Sequence, residues 1–162
     1  VRAIAGALAR EVQAVWARTP LERSSPLYVV SERFALPAPR LSVRNCLGRL
    51  IPASARLALS GAMPATTEMV GVAVGQSAWV TVPGELQTRL GQAVRASGQQ
   101  LFQRAFVVGL SNDYLGYFLA QEELEKGGYI SCATLYGAEG GQLVVNRAEE
   151  IFRTLRTASD NR

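Results

Sequence analysis

Glu85 follows a Pro83-Gly84 pair, and a second group of polar side chains, Ser111-Asn112-Asp113-Tyr114-Leu115-Gly116-Tyr117, lies some way downstream. A carboxylate can serve as acid, base or metal ligand. A phenol can donate a hydrogen bond to an oxyanion or, when ionised beside a cation, bind that cation directly. The bend before Glu85 fixes where its carboxylate points, and a loop crowded with polar side chains is where a plain turn would be simpler. Each residue also has an ordinary explanation. An acid in the first turn of a helix is favoured by the helix dipole, and a tyrosine is commonly packed with its hydroxyl satisfied. The chain contains no histidine. Histidine is the commonest ligand of catalytic zinc and the commonest general base near neutral pH, so chemistry of that kind must borrow its histidines from elsewhere.

The elements around these residues place them on one edge of a sheet. Met69 to Val74 and Ser77 to Val82 are β-rich runs that meet at Gly75-Gln76, which predicts a tight hairpin. Pro83-Gly84 ends the second run, and the spacing of Leu86, Leu90 and Val94 predicts a helix opened by Glu85 and closed at Ser97-Gly98. Ala105 to Leu110 is a continuous apolar run, the pattern of a strand buried on both faces. Strand, helix and strand then form a right-handed crossover with both strands parallel, so that Glu85 and the Asn112–Tyr117 loop face each other at the carboxyl edge.

Outside this unit, Ile4, Leu8, Val12, Val15 and Trp16 share one face of a helix that stops at Pro20. A start inside an amphipathic pattern suits a chain cut from a longer one. Leu27 to Leu36 alternates, with Tyr28, Val30, Phe34 and Leu36 on one side. From Arg40 to Thr67 the pattern fades into connection, with a short helix around Val43 to Leu50 broken by Pro52 and Pro64. Val144, Ala148, Ile151, Phe152 and Leu155 form the stripe of a last helix, placed after the glycines at 137, 140 and 141. The predicted class is α/β: a mixed sheet with a hairpin and one β-α-β crossover, flanked by helices and forming part of a larger domain.

Composition narrows the partners. With 162 residues, 48% of them apolar, the chain fits one domain with a sizeable core. The net charge of +4 comes from arginines spread along the whole length, without a dense basic block, which argues against nucleic acid. No apolar run approaches the roughly 20 residues that cross a bilayer. Cys46 and Cys132 could pair if the fold brings them close, but they lie far apart in sequence, define no disulfide framework and have no metal-ligand spacing, so two buried free thiols is the plainer reading and a bond between them stays open.

The order Val-Pro-Gly-Glu (82–85), a helix, Gly-Leu-Ser-Asn-Asp-Tyr-Leu-Gly-Tyr (109–117), Gln-Glu-Glu (121–123), Gly-Gly-Tyr (127–129) and Thr-Leu-Tyr-Gly (134–137) resembles the neutral ceramidases, zinc-dependent amidases that cleave the N-acyl bond of ceramide. The resemblance is strong from about Thr67 to Gly137 and faint before it. It implies that the chain is the later part of the catalytic domain, with Glu85 and Tyr117 as zinc ligands and two histidine ligands from an earlier segment absent here. It further implies that Tyr129 hydrogen-bonds the oxyanion and that Asn112 and Tyr114 contact substrate. The family often has histidine where this chain has Gly116, which leaves head-group recognition open. Leu115, Phe118 and Leu119 flank Tyr117, either as an apolar approach for lipid or as loop anchors in the core. The implied partners are a lipid substrate, the missing histidine-bearing part and a peripheral membrane surface; the implied location is secreted, periplasmic or membrane-surface. Two alternatives stand beside this reading: a binding or structural module on the same scaffold, and a hydrolase of another acylated amphiphile.

Overall fold

The computed structural model describes residues 1–21 and 25–161. Its centre is a four-stranded mixed sheet. β1 (Leu27–Ala35) pairs antiparallel with β4 (Thr66–Val74), and β4 pairs antiparallel with β5 (Ser77–Thr81). β5 pairs in parallel with β7 (Arg104–Val108). The β4–β5 hairpin turns on Gly75 and Gln76, with Val74 opposite Ser77; Gly75 has φ 54°, the left-handed region that a two-residue turn requires. α3 (Thr88–Gln99) carries the chain from β5 to β7.

One face of the sheet is the core. Phe34, Met69, Ala73, Ala78, Val80 and Ala105 are buried there beneath α6 (Gly137–Asp160), whose Val144, Ala148, Ile151, Phe152 and Leu155 form the expected stripe. α6 lies so close that a Cβ on Gly71 would sit 2.2 Å from the Ile151 side chain. The start of α6 corrects the sequence reading, which placed the glycines before the helix. All three lie in it, Gly137 as its first residue, and glycine is needed at the other two because a Cβ would sit 2.6 Å from Tyr136 Cβ at Gly140 and 2.5 Å from the Leu119 carbonyl oxygen at Gly141.

The opposite face is open. Val29, Val72, Trp79 and Phe106 stand in one row across the four strands, and Trp79 stacks on Phe106 with ring centroids 5.4 Å apart. The run through β7 is therefore buried on one face only: Ala105 is buried, while Phe106 and Val108 are each 39% exposed. Its apolar continuity reflects two apolar faces, of which one is covered.

α1 (Arg2–Arg18) forms as the 3.6-residue spacing predicts, and none of its residues is buried. Between the sheet strands lies a small unit where the sequence showed mainly connection. β2 (Arg40–Ser42) and β3 (Arg56–Ala58) pair antiparallel around α2 (Val43–Leu47), which is capped by the Ser42 hydroxyl accepting from the Asn45 amide. α4 (Gln121–Leu124) and the one-turn α5 (Tyr129–Cys132) follow the site loop. The cysteines are a second correction. α2 packs on α5 and brings the Cys46 and Cys132 Cα atoms to 4.7 Å, within bridging range, and the two are joined as a disulfide. No described helix is long and apolar enough to cross a membrane.

Candidate functional site

The chain leaves β5 through Val82, Pro83 and Gly84, all buried, and backbone hydrogen bonds stitch this exit to the later loop. The Val82 amide donates to the Val108 carbonyl (2.8 Å), Leu110 to Gly84 (3.1 Å), Ser111 to Val82 (3.0 Å), Leu115 to Pro83 (2.9 Å) and Glu85 to Gly116 (2.9 Å). The result corrects one expectation: Glu85 does not open a helix. Glu85–Leu86 is a two-residue strand, β6, paired in parallel with β8 (Tyr117–Phe118), so that Glu85 stands directly opposite Tyr117. The helix begins three residues later, at Thr88.

Three features hold the facing loop. Leu110 (φ 56°) and Asn112 (φ 73°) both adopt the left-handed backbone region, a conformation costing about 1–2 kcal/mol for a residue with a Cβ. The buried Thr67 hydroxyl donates to Asp113 Oδ2 at 2.7 Å and pins the loop to the start of β4. Gly116, at φ 79°, leaves no room for a side chain, since a Cβ would lie 2.6 Å from the Ala133 carbonyl oxygen. That same carbonyl accepts the Tyr117 amide at 3.2 Å. Thr67 and Asp113 escaped the sequence reading as positioning residues because they are 46 residues apart and carry no pattern of their own. Leu115, Phe118 and Leu119 are core anchors, exposed by 2% or less, and do not line an approach to the site.

On this frame the Glu85 carboxylate meets two phenols, those of Tyr114 and Tyr117, and a third stands beside Tyr117. Tyr114 Oη donates to Glu85 Oε1 at 3.3 Å. Loss of hydration, a hydrogen bond to Glu85 and the negative charge of that carboxylate push the Tyr117 phenol up to about 12. Tyr114 is raised for the same reasons, loss of hydration first. Tyr129 sets its ring edge-on to Tyr117, with centroids 6.1 Å apart, and is itself 75% exposed. Glu85, Tyr114, Tyr117 and Tyr129 are thus gathered in one place. Asn112 is exposed two residues before Tyr114 and makes no hydrogen bond to the other four among the described residues.

Among the described residues no lysine or arginine pairs with Glu85, so its negative charge is met only by phenol hydroxyls. Such a set suits a cation. A dication beside these oxygens inverts the local proton balance and favours the ionised phenol that the carboxylate alone disfavours. The donors present are oxygens, and no group of three or more histidine, cysteine, aspartate or glutamate side chains occurs among the described residues. Glu85 and Tyr117 could supply two oxygen donors to a cation, and further donors would have to come from elsewhere. The site is an open platform. A cavity of about 490 Å³ lies elsewhere, between α2 and the start of α6, with Arg40, Asn45, Thr134 and Tyr136 in its wall.

The mixed sheet, its crossover and its carboxyl-edge loops make up an α/β fold that is similar to that of the neutral ceramidases. Two solved structures share it: a neutral ceramidase from Pseudomonas aeruginosa, with a TM-score of 0.59 and 19% identity over 88% of this chain, and a ceramidase complexed with C2, with a TM-score of 0.57 and 16% identity over 84%. This chain spans 30% of the length of each. No protein-family model and no curated protein sequence matches the chain.

Proposed function

We propose that this chain is the later part of the catalytic domain of a zinc-dependent amidohydrolase that cleaves the N-acyl bond of ceramide-type lipids to a sphingoid base and a fatty acid. The observation that carries the reading is the convergence of Glu85, Tyr114, Tyr117 and Tyr129 at the carboxyl edge of a ceramidase-like sheet. Glu85 and Tyr117 would hold the zinc together with two histidines from an earlier segment, as the family resemblance implies. When bound, the metal supplies a water whose pKa falls to about 7 and polarises the scissile carbonyl.

The chain's own residues do the rest by position. Tyr129, with its hydroxyl free to turn, donates a hydrogen bond to the carbonyl oxygen as negative charge builds there, a contribution of roughly 3 kcal/mol for donors of this kind. Tyr114 holds the Glu85 carboxylate in place from one side and, with Asn112, presents polar groups to the lipid head group. Water adds across the amide, the C–N bond breaks, the nitrogen leaves as an amine carrying a proton, and the acyl carbon keeps the hydroxyl. The Cys46–Cys132 disulfide accords with a secreted or periplasmic location, since such bonds persist in oxidising compartments.

The test is anomalous X-ray scattering at the zinc edge in crystals of the polypeptide that includes the histidine-bearing segment. A peak between Glu85 and Tyr117 is expected, with ceramide hydrolysis lost in Glu85→Gln and Tyr117→Phe. Absence of that peak under zinc-replete conditions would leave the scaffold as a binding or structural module.

A further inference from the structure

Away from Glu85, the cavity of about 490 Å³ gathers charges of both signs from separate parts of the fold. The positive ones come from the β2–α2–β3 unit. In its two-stranded ribbon Arg40 stands opposite Ala58 and Ser42 opposite Arg56, so Arg40, Ser42 and Arg56 share the face that lines the cavity, while Leu41 and Leu57 occupy the other. Arg44, in α2, joins them. Residues 33–67 contain no acid, so nothing within this unit neutralises the guanidinium groups. The negative charges come from Glu125, at the end of α4, and Glu139, in the first turn of α6. None of these five side chains forms an ion pair among the described residues, although all of them line one cavity.

Other polar side chains of the lining are committed to the fold. Asn45 donates to the Leu124 and Ser131 carbonyls at 3.4 and 3.5 Å, the Thr134 hydroxyl to the Ile130 carbonyl at 2.8 Å, and the Tyr136 hydroxyl to the Pro64 carbonyl at 2.9 Å. The Arg40 amide donates to the Leu135 carbonyl at 2.7 Å, and the Cys46–Cys132 disulfide ties α2 to α5. These links hold the β2–α2–β3 unit at a fixed separation from the body of the protein, so the cavity is built in advance of any ligand. The arginines keep donors that the fold does not use. α6 begins at the same cavity without a side-chain cap, and the amides of its first residues, Gly137 and Ala138, add to them.

We propose that this cavity binds a small phosphate monoester that also carries an ammonium group, with the phosphate held by Arg40, Arg44 and Arg56 and the ammonium by Glu125 and Glu139. Charge selects the ligand. Three guanidinium groups and two carboxylates leave the lining with one net positive charge. A phosphate monoester with an ammonium group carries about one net negative charge near neutral pH and balances it. Inorganic phosphate would leave both carboxylates facing an anion, an amino acid is neutral overall and leaves one arginine unmatched, and a phosphodiester gives up one of the two negative charges. Guanidinium forks also match phosphate oxygens two at a time. The volume suits a small molecule, since such sites span roughly 300–1,000 Å³. The inference stands apart from the zinc reading, because it needs neither metal nor histidines.

The experiment is isothermal titration calorimetry of the whole chain near neutral pH with phosphoethanolamine, inorganic phosphate, ethanolamine and glycerophosphoethanolamine, the last a soluble diester that carries a phospholipid head group. Phosphoethanolamine is expected to bind, inorganic phosphate about threefold more weakly, the diester about tenfold more weakly, and ethanolamine not at all. Arg40→Gln and Arg56→Gln each lower the affinity for phosphoethanolamine about tenfold. Glu139→Gln lowers it about threefold and leaves inorganic phosphate bound at least as well as before, a crossed response that general damage to the fold does not produce. All three positions are exposed, and far-UV circular dichroism verifies that each variant keeps its fold. Arg49→Gln, outside the lining, changes nothing. The proposal is overturned if phosphoethanolamine does not bind, if inorganic phosphate binds as tightly, or if the diester binds as tightly and so points to a phospholipid head group. It is equally overturned if the changes at Arg40 and Arg56 are neutral, or if Arg49→Gln costs as much as they do.

Discussion

Gly84→Ala tests whether the pairing of Glu85 with Tyr117 depends on close backbone approach. A Cβ at position 84 would lie 2.5 Å from the Gly116 carbonyl oxygen and 3.0 Å from Phe118 Cε2, whereas ordinary contact begins at 3.4 Å. The obstructing oxygen is backbone, so β8 must move as a unit. That oxygen also accepts the Glu85 amide at 2.9 Å, and the displacement stretches this bond. Overpacking of this kind costs about 1–3 kcal/mol, and a lost hydrogen bond about 1 kcal/mol. Together they predict a loss of roughly 2–4 kcal/mol, or a melting temperature lower by about 4–16 °C for a chain of this size. The site should report the same movement: as Tyr117 shifts away from the Glu85 carboxylate, its phenol titrates closer to its ordinary value of 10.0 than to about 12. Thermal unfolding and tyrosinate absorbance during alkaline titration read the two effects. Gly91→Ala is the control, because its Cβ meets only Leu86 Cδ2 at 3.9 Å inside α3, and alanine there stabilises by about 0.5–1 kcal/mol. A Gly84→Ala protein that melts like the parent, with Tyr117 titrating as before, would refute the reasoning.

Other outcomes follow from the same contacts. Glu85→Gln removes both the charge and the carboxylate acceptor that raise Tyr114 and Tyr117, so both phenols ionise at lower pH in the absorbance titration. Folded Tyr117 keeps its proton to about 12 while the unfolded phenol loses it near 10.0. Stability from this group is therefore complete below pH 10 and is lost between 10 and 12, a decline that Tyr117→Phe makes shallower in denaturant melts across that range. Thr67→Val leaves Asp113 without its 2.7 Å donor and costs about 1–2 kcal/mol, read by urea unfolding. Cys46→Ser with Cys132→Ser opens a crosslink spanning 86 residues and lowers stability by about 4–5 kcal/mol on the chain-entropy account, seen as a lower midpoint in the same assay.

How far the sequence carried the fold depended on the length of each pattern. The β4–β5 hairpin, α3, β7 and the stripe of α6 are long enough for periodicity to declare them, and Gly75-Gln76 has the chemistry of its turn. The crossover then placed Glu85 opposite the Asn112–Tyr117 loop by topology alone, as the parallel pairing shows. Features shorter than a period were silent. β6 and β8 are two residues each, so Glu85 read as a helix start, and the three-residue strands β2 and β3 read as connection. Long-range constraints were also silent. Nothing near Cys46 announces Cys132, and nothing near Gly140 or Gly141 announces the atoms of Tyr136 and Leu119 that exclude a side chain there. Composition told that β7 is apolar on both sides but not that one side is left open.

The one-turn helix bearing Tyr129 has little to hold it in shape: two glycines with positive φ precede it, and its one buried side chain is a serine. What fastens it is the Cys46–Cys132 bond to α2, beside the hydrogen bonds that Ser131 makes to Asn45 and to the Glu123 carbonyl. That one bond ties the helix ending at Leu47 to the turn that begins at Tyr129. Cutting it would leave the Tyr129 turn held by its packing on α2 and by single hydrogen bonds.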